Sequence, residues 1–500
     1  MHPERAESPA TWTLTAKALS ISLLLFAVLV SILGIERPLF VDEANSILIA
    51  SDNLRGVISH LRTDDNLPLY YLLLHVWIHL FGLSEVATRL LSVFFYLTGI
   101  FATYLLGNQL SEDSWVGLYG AFLFAVSLQA IRLAQHVRMY SLLGLVATFS
   151  TLLFFRSFAN DRRGSRRDLI FYILVNVAGS FIHVWFAFVL IAQLLCYFAL
   201  FPRATVRRLL GSLTLSALPF LLLWGRFFLE QMANGSSSWM PKIGLWSAPG
   251  AVLEFYGGKY IGSVILGACG LLLLLRWRGP AQLGPEEIRP EQKRAQRALL
   301  LIFSTSVAVP LLVSLFRHIY FPGRYTIIAL PSLAVLLAWR LAAKIPRPLL
   351  AGFASAVMVL VLSVHVATRE DVIENSETKW TYANTDKHAA VEIAKGGIRP
   401  GDIVVFTGVT RAAVVYYLRR FHCDRGLTLI SFPHENADHL GWDENRLDQA
   451  VLEQEAEEVA ERLAKSERNG SLVFMVGSDR RTTAILAQAM NRQLSASASP

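Results

Sequence analysis

The sequence predicts an all-α multi-pass membrane protein with a small C-terminal α/β domain. Hydrophobic residues make up 54% of the 500 residues and charged residues 17%, whereas a soluble globular chain carries about a quarter charged residues. Several apolar runs approach the roughly 20 residues that are needed to cross about 30 Å of hydrocarbon. After about residue 368, these runs give way to charged and strand-like segments.

About eleven apolar segments are predicted to be membrane helices. The first is not followed by a small-residue cleavage site, so it is predicted to be an uncleaved membrane helix. The block 169–201 is too long for one helix, and we divide it near His183 into two short helices. The predicted spans are 18–35, 86–108, 115–131, 138–156, 169–201 as two helices, 208–228, 250–275, 298–316, 323–342 and 349–367.

The basic residues predict the orientation of these spans. With the division near His183, four basic loops fall on one face, which the positive-inside rule makes cytoplasmic. The loop 36–85 and the segment 368–500 then lie on the extracytoplasmic side of the cell (inner or cytoplasmic) membrane. The net charge of +8 is accounted for by these loops, so no nucleic-acid partner is expected. The basic residues are Arg162, Arg163, Arg166, Arg167, Arg203, Arg207, Arg208, Arg276, Arg278, Lys293, Arg294, Arg297, Arg340, Lys344 and Arg347.

The last part of the chain has the pattern of a soluble domain. Residues 402–408 and 471–477 are predicted to be buried strands, and 446–465 and 480–493 to be helices. Strands that alternate with helices indicate a small α/β domain. The sequence is therefore divided into a transmembrane domain, 1–367, whose first outer loop carries the active site, and an extracytoplasmic α/β domain, 368–500.

Two adjacent carboxylates, Asp42 and Glu43, follow the first membrane helix. Carboxylates this close to the hydrocarbon are costly and are usually functional, so one interpretation is a general base at the membrane surface. The other is a solvated loop in which Asp42 caps a helix. The residues alone leave both interpretations open.

The same loop continues with an aromatic, amphipathic segment, 66–77, that contains His75. Pro68 suits the first turn of a helix, and Tyr and Trp favour the headgroup region of a bilayer. This segment either packs at the membrane interface or lines an entry for a lipid-linked substrate.

Two arginines, Arg138 and Arg324, lie on the predicted outer face, against the preference of basic residues for the inner face. A guanidinium matches the geometry of phosphate, so these residues are predicted to bind an anionic headgroup; snorkelling to membrane lipids is the alternative. His136, Tyr140 and Tyr325 are their neighbours in the sequence. His183, at a tight outer turn, is either a hydrogen-bonded turn residue or a ligand for substrate.

These motifs, in this order, resemble the GT-C fold glycosyltransferases. Among these, the chain is most similar to bacterial relatives of the protein O-mannosyltransferases and to the aminoarabinose transferases. The resemblance covers about residues 18–345. Its motifs are Asp42-Glu43, 67–75, Ala87-Thr88-Arg89-Leu90, Arg138-Met139-Tyr140, 182–187 and Arg324-Tyr325.

The resemblance implies an inverting transferase that moves a sugar from a polyprenyl-phosphate donor to an acceptor hydroxyl at the outer face of the membrane. Asp42 would be the base, with Glu43 as its partner or as the base itself. Arg138, Arg324 and Tyr325 would bind the donor phosphate. The residues that would line the substrates are His75, His136, Tyr140 and His183.

The acceptor and the use of metal stay open. A lipid, a glycan or a protein would each supply a hydroxyl. Relatives often have Gln-Glu-Ala-Arg where this chain has Gln135-His136-Val137-Arg138, so a carboxylate is replaced and the role of a divalent metal is in doubt. The extracytoplasmic domain is expected to help bind the acceptor or to cap the active site.

Two other functions are weighed against the transferase. A transporter or flippase of lipid-linked sugars would also need many helices and outer cations, but the sequence has no two matching halves with Gly- or Pro-broken helices. In a non-catalytic assembly factor, the segment 368–500 would bind a partner and Asp42 would be dispensable.

Overall fold

The computed structural model is predominantly helical, with one small sheet. It describes residues 9–498 except 65, 160–164, 234–239, 241, 245, 275–288, 376–378, 409, 435–447, 469 and 478–479. Two short 3-10 helices, Arg203–Thr205 and Tyr325–Ala329, accompany the α-helices. The α-helices of the described residues are α1 (Pro9–Ile32), α2 (Val41–Ala50), α3 (Leu54–Thr63), α4 (Pro68–Phe81), α5 (Glu85–Ser111), α6 (Ser114–Ala125), α7 (Leu128–Ala134), α8 (Tyr140–Phe158), α9 (Arg166–Ser180), α10 (Phe186–Leu200), α11 (Val206–Leu223), α12 (Gly225–Ala233), α13 (Ser247–Glu254), α14 (Gly258–Leu274), α15 (Pro290–Ser314), α16 (Leu330–Lys344), α17 (Arg347–Asn375), α18 (Lys379–Lys395), α19 (Arg411–Arg420), α20 (Gln449–Arg468) and α21 (Arg480–Ala498).

The chain is a multi-pass membrane protein. Among the described residues, seven helices are long and apolar enough to cross a membrane, or nine if each of two bent helix pairs is one span. The division of 169–201 is confirmed, because α9 and α10 are separate helices of 15 residues on either side of the turn at His183. The total of eleven spans stays a prediction.

Two predicted spans, 115–131 and 250–275, are not straight helices as the sequence suggested. Helices α6 and α7 meet at 65° and α13 and α14 at 74°. The first break is stabilised by Ser127, whose hydroxyl caps α7, and the second contains two glycines at positive φ. The breaks meet each other: the Ser127 hydroxyl donates to the carbonyl of Phe255 at 2.6 Å. This contact satisfies backbone groups that a break exposes.

The loop 36–85 folds into three helices, α2, α3 and α4. Pro68 occupies the first turn of α4, which confirms the predicted helix. The interpretation of Asp42 as a helix cap is wrong: α2 begins at Val41, so Asp42 lies inside its first turn and Phe40 precedes the helix. The first turn of α2 is therefore acidic, which its N-terminal dipole favours.

The C-terminal part contains a parallel three-stranded sheet with helices on both faces. The sheet has the order β2-β1-β3, with β1 at Ile403–Thr407, β2 at Thr428–Phe432 and β3 at Val473–Gly477. Strands β1 and β3 and helices α20 and α21 match the predicted elements, whereas β2, α18 and α19 were not predicted. The predicted boundary at 367/368 falls within α17.

This sheet domain packs directly on the loop 36–85 through α19. The backbone N–H of Leu39 donates to the Tyr417 hydroxyl at 2.8 Å, and the Tyr416 hydroxyl donates to the Leu83 carbonyl at 2.6 Å. Both tyrosines are buried in the same hydrophobic core as the membrane helices. Direct contact of this kind places the domain and the loop on the same side of the membrane.

This shared side predicts the labelling of single cysteines in a Cys423→Ser background. Arg55→Cys and Arg425→Cys are at exposed positions and should react with a membrane-impermeant maleimide from the same side of sealed, oriented vesicles. Arg207→Cys, in a predicted cytoplasmic loop, should react only from the other side. Native Cys196 and Cys269 are buried and should stay unlabelled. Labelling at 55 and 425 from different sides would contradict the packing.

Candidate functional site

Glu43 is locked in a buried ion pair with Arg89 of α5, and neither side chain is exposed. One carboxylate oxygen, Oε1, accepts from Arg89 Nε at 2.9 Å and from the backbone N–H of Val137 at 3.0 Å. The other, Oε2, accepts from Arg89 Nη2 at 2.7 Å and from the N–H of Phe40 at 3.1 Å. Four hydrogen bonds hold this carboxylate in place, so its contacts do not support the prediction that Glu43 acts as a base.

Arg89 uses all five of its N–H groups, the full capacity of a guanidinium. Besides the two bonds to Glu43, Nη1 donates to the carbonyls of Ile35 and Arg37, and Nη2 to that of Pro38. Arg89 therefore fixes the chain between the first membrane helix and α2. The sequence singled out Arg89 only as part of a motif. Its place inside the predicted apolar span 86–108 was the available signal for a buried, paired role.

Burial and nearby charges together determine whether Glu43 and His136 are ionised. Burial alone would raise the pKa of Glu43, but the Arg89 guanidinium lowers it to about 2. Burial lowers the pKa of His136 to about 3; the Glu43 carboxylate opposes this shift, whereas the charges of Arg37, Arg324 and Arg89 add to it. Glu43 is therefore ionised and His136 neutral near pH 7.

Arg138 is a buried cation whose direct hydrogen-bond partners are neutral oxygens. Its side chain is only 8% exposed. Nη2 donates to the Asn66 amide oxygen at 3.0 Å, and Nη1 to the hydroxyls of Tyr71 at 3.2 Å and Ser46 at 3.4 Å. Within the described residues, Nε has no hydrogen-bond partner, and no carboxylate lies within ion-pair distance of this guanidinium. The carboxylates of Asp42 and Asp64 act on this charge only through space, so an anion in direct contact with the guanidinium would stabilise it further.

Asp42 faces Arg324, a residue from the C-terminal part of the membrane domain's sequence. Asp42 Oδ2 and Arg324 Nη1 are 3.2 Å apart, and both side chains are 13% exposed. Across the described ranges, Nε and Nη2 of Arg324 make no hydrogen bond. The guanidiniums of Arg324 and Arg138 both face the ring of Tyr140, at 6.0 and 5.9 Å from its centroid. The structure thus brings Asp42, Arg138, Arg324 and Tyr140 together, as a site requires.

Aromatic rings form one wall beside these charges. The rings of Tyr140 and Tyr325 are 5.8 Å apart, and the His183 ring is 4.9 Å from that of Tyr325. His183 Nδ1 accepts from the backbone N–H of Trp185 at 3.1 Å, so His183 both orders its turn and contacts the wall. The predicted site residues His183, Tyr140 and Tyr325 therefore meet.

His75 lies apart from this group. Its Nδ1 donates to the carbonyl of Ala50, the last residue of α2, at 2.8 Å. Asp42 lies about 12 Å from Ala50 along α2, given a rise of 1.5 Å per residue. The structure thus does not bring His75 to the carboxylate and the arginines. By contrast, Asn66, Tyr71 and Ser46 contact Arg138 but were not singled out, because neutral residues of this kind carry no charge signal in a sequence.

The residues around His136 do not fit a divalent metal. A cation beside this imidazole would stand close to the guanidinium charges of Arg37, Arg89 and Arg324, which repel it. The Glu43 carboxylate is already committed to four N–H donors. In the described part of the chain, no three His, Cys, Asp or Glu side chains come together as a ligand set.

Comparisons with known proteins give structural neighbours only. No family model matches the sequence, and no curated protein matches it. Among solved structures, ArnT from Cupriavidus metallidurans bound to undecaprenyl phosphate is similar, with a TM-score of 0.48 and 14% identity, over 96% of this chain and 88% of that chain. The apo state of the same ArnT is similar with a TM-score of 0.47 and 14% identity, over 95% and 89%. ArnT is a GT-C aminoarabinose transferase.

The buried pair predicts the effect of Glu43→Gln on stability. The substitution leaves the Arg89 charge buried without compensation, which should destabilise the protein by about 3–5 kcal/mol. Glu230→Gln removes the partner of Arg226 in an exposed pair and should change the stability by less than about 0.5 kcal/mol. Equilibrium unfolding of the detergent-solubilised variants measures both. Equal effects of the two substitutions would refute the structural role of Glu43.

Proposed function

We propose that the protein is an inverting glycosyltransferase that moves a sugar from a polyprenyl-phosphate donor to an acceptor hydroxyl at the outer face of the cytoplasmic membrane. The observation that carries this proposal is the buried Arg138 guanidinium, without a carboxylate partner among the described residues, beside the Asp42–Arg324 pair. A base and two cations meet there on a membrane domain, the combination that transfer from a lipid phosphate requires.

The donor phosphate binds between Arg138 and Arg324. Each guanidinium has N–H groups that no described residue occupies, and arginine donates to phosphate oxygens in a matched planar geometry. Arg324 hydrogen-bonds Asp42 through Nη1, so its remaining N–H groups are available to the phosphate. Tyr140, between the two guanidiniums, and Tyr325 complete the wall on the side of the sugar.

Asp42 acts as the general base. It accepts the proton of the acceptor hydroxyl while the hydroxyl oxygen forms a bond to the anomeric carbon. The bond from that carbon to the phosphate oxygen breaks on the opposite face, and the phosphate leaves with the electron pair, so the anomeric configuration inverts. Arg138 and Arg324 stabilise the charge that develops on the departing phosphate.

His136 and His183 belong to the walls of this site rather than to its proton transfers. The low pKa of His136 keeps its imidazole neutral, so it offers hydrogen bonds without adding charge. His183 packs against Tyr325. The acceptor is a lipid, glycan or protein that presents its hydroxyl to Asp42.

One observation favours a second function, a transporter or flippase of lipid-linked sugars. Two helices, α6–α7 and α13–α14, are broken and meet at their breaks, and broken helices that meet near the membrane centre are common in transporters. The base beside the two arginines favours the transferase. Reconstituted vesicles separate the two functions, because a flippase moves labelled donor across the bilayer without consuming it.

Replacement of Asp42 tests the base. With a defined radiolabelled polyprenyl-phosphate sugar as donor and membrane extract as acceptor, Asp42→Asn should lower the transfer rate about 10²- to 10⁴-fold, the usual contribution of a positioned base. Asp52→Asn is the matched control, since it makes the same change in the loop at the other end of α2 and should keep wild-type activity. Wild-type transfer by Asp42→Asn would exclude Asp42 as the base.

Replacement of Arg138 tests the donor site. Arg138→Gln removes a charge-assisted contact to the phosphate and should raise the KM for the donor about 10- to 100-fold. Arg317→Gln removes an exposed arginine a few residues before Arg324 and should leave this KM unchanged. Steady-state transfer over a range of donor concentrations measures both. An unchanged KM for Arg138→Gln would place the phosphate elsewhere.

A further inference from the structure

We propose that helix α19 of the sheet domain positions the base-bearing helix α2, with Tyr417 as the positioning residue. This inference rests on the proposed function, in which Asp42 is the base. The sheet domain then belongs to the catalytic unit itself, in addition to any role in binding the acceptor.

The contact between α19 and α2 is direct and buried. The Tyr417 hydroxyl accepts the backbone N–H of Leu39 at 2.8 Å, and both residues are fully buried. Leu39 lies two residues before α2, and Phe40, between them, donates its N–H to Glu43. Tyr417 therefore fixes the chain where it enters the first turn of α2, the turn that carries Asp42.

The same domain also holds the start of α5. Glu85, in the first turn of α5, pairs with Arg420 at 3.2 Å and with Lys387 at 3.6 Å. One helical turn later on the same face of α5, Arg89 binds Glu43. The sheet domain thus contacts both the start of α5 and the entry to α2. The buried Arg89–Glu43 ion pair also joins α5 to α2.

Among the described residues, side chains of the membrane domain hold the residues on either side of Leu39, but none of them binds its N–H. Arg89 binds the carbonyls of Ile35, Arg37 and Pro38, whereas the N–H of Leu39 depends on Tyr417. A buried N–H without a partner is costly, so loss of the Tyr417 hydroxyl favours a shift of the helix start that gives this N–H another partner. A displacement of about 1 Å is enough to lower a rate about 100-fold when a catalytic group depends on it.

The test is Tyr417→Phe in the full-length protein, which keeps the ring and removes the hydroxyl. We expect kcat for sugar transfer to fall about 10- to 100-fold while the KM for the polyprenyl-phosphate sugar stays unchanged, because Arg138 and Arg324 are untouched. Hydrogen exchange should become faster in residues 39–50. A fall in kcat with an equal rise in KM, or unchanged exchange in 39–50, would overturn the proposal.

Tyr416→Phe is the matched control. It removes a hydroxyl from the adjacent residue in the same interface, but that hydroxyl binds the Leu83 carbonyl, which precedes α5 rather than α2. It should leave kcat and the exchange of 39–50 unchanged. Equal losses of kcat in both variants would mean that the tyrosines merely dock the domain, and would overturn the specific role of Tyr417.

Exchange in the wild-type protein provides a check that needs no variant and no activity. If α19 holds α2, residues 39–50 and 411–420 open together, with the same dependence on added denaturant. Separate opening of the two segments would overturn the proposal even if Tyr417→Phe failed to fold. If the wild type transferred no sugar, the proposed function would fail, while the exchange measurements would still decide the contact.

Discussion

The buried ion pair between Arg89 and Glu43 is the interaction on which the site depends. It joins the start of α5 to α2, and Arg89 also binds three carbonyls of the chain that leads into α2. Removing either partner would leave a charge in a medium where its solvation is poor. The pair therefore holds the short helix α2 in one position relative to the membrane domain, and the position of Asp42 follows from it.

Adjacent carboxylates thereby acquire different roles through their surroundings. Glu43 faces inward, and its carboxylate oxygens accept from four N–H donors. Asp42, one residue earlier, faces Arg324. The guanidiniums of Arg324 and Arg138 both face the ring of Tyr140. Arg138 has neutral partners within the described residues, so its charge remains available to an anionic ligand. The proposed transfer thus uses one fixed carboxylate, one carboxylate as the base and two cations.

Much of the fold could be predicted from the sequence because apolar run length is a strong signal in a membrane protein. The division of 169–201 followed from length and from the side on which the arginines fall. The breaks in α6–α7 and α13–α14 were missed, because Ser127 and a glycine pair look tolerable within an apolar helix. Strand β2 was missed although Gly426 and Pro433 flank it, because it is only five residues long and two of these, Thr428 and Ser431, are polar.

The site could be predicted only in part. Charged residues against the expected topology pointed to Arg138 and Arg324, and the structure brings both to Asp42. The different roles of Asp42 and Glu43 could not be predicted from their adjacent positions, since they depend on Arg89, which lies 46 residues after Glu43. The contact of Tyr417 with Leu39 spans 378 residues, and no local pattern indicates a pairing of that kind.

An experimental structure with a bound polyprenyl-phosphate sugar tests the central claim most directly. We expect the phosphate oxygens to lie within hydrogen-bond distance of both Arg138 and Arg324, with the anomeric carbon facing Asp42 and the Glu43–Arg89 pair unchanged. A phosphate bound away from Arg138, or a sugar that Asp42 does not face, would contradict the assignment of this site as the centre of sugar transfer.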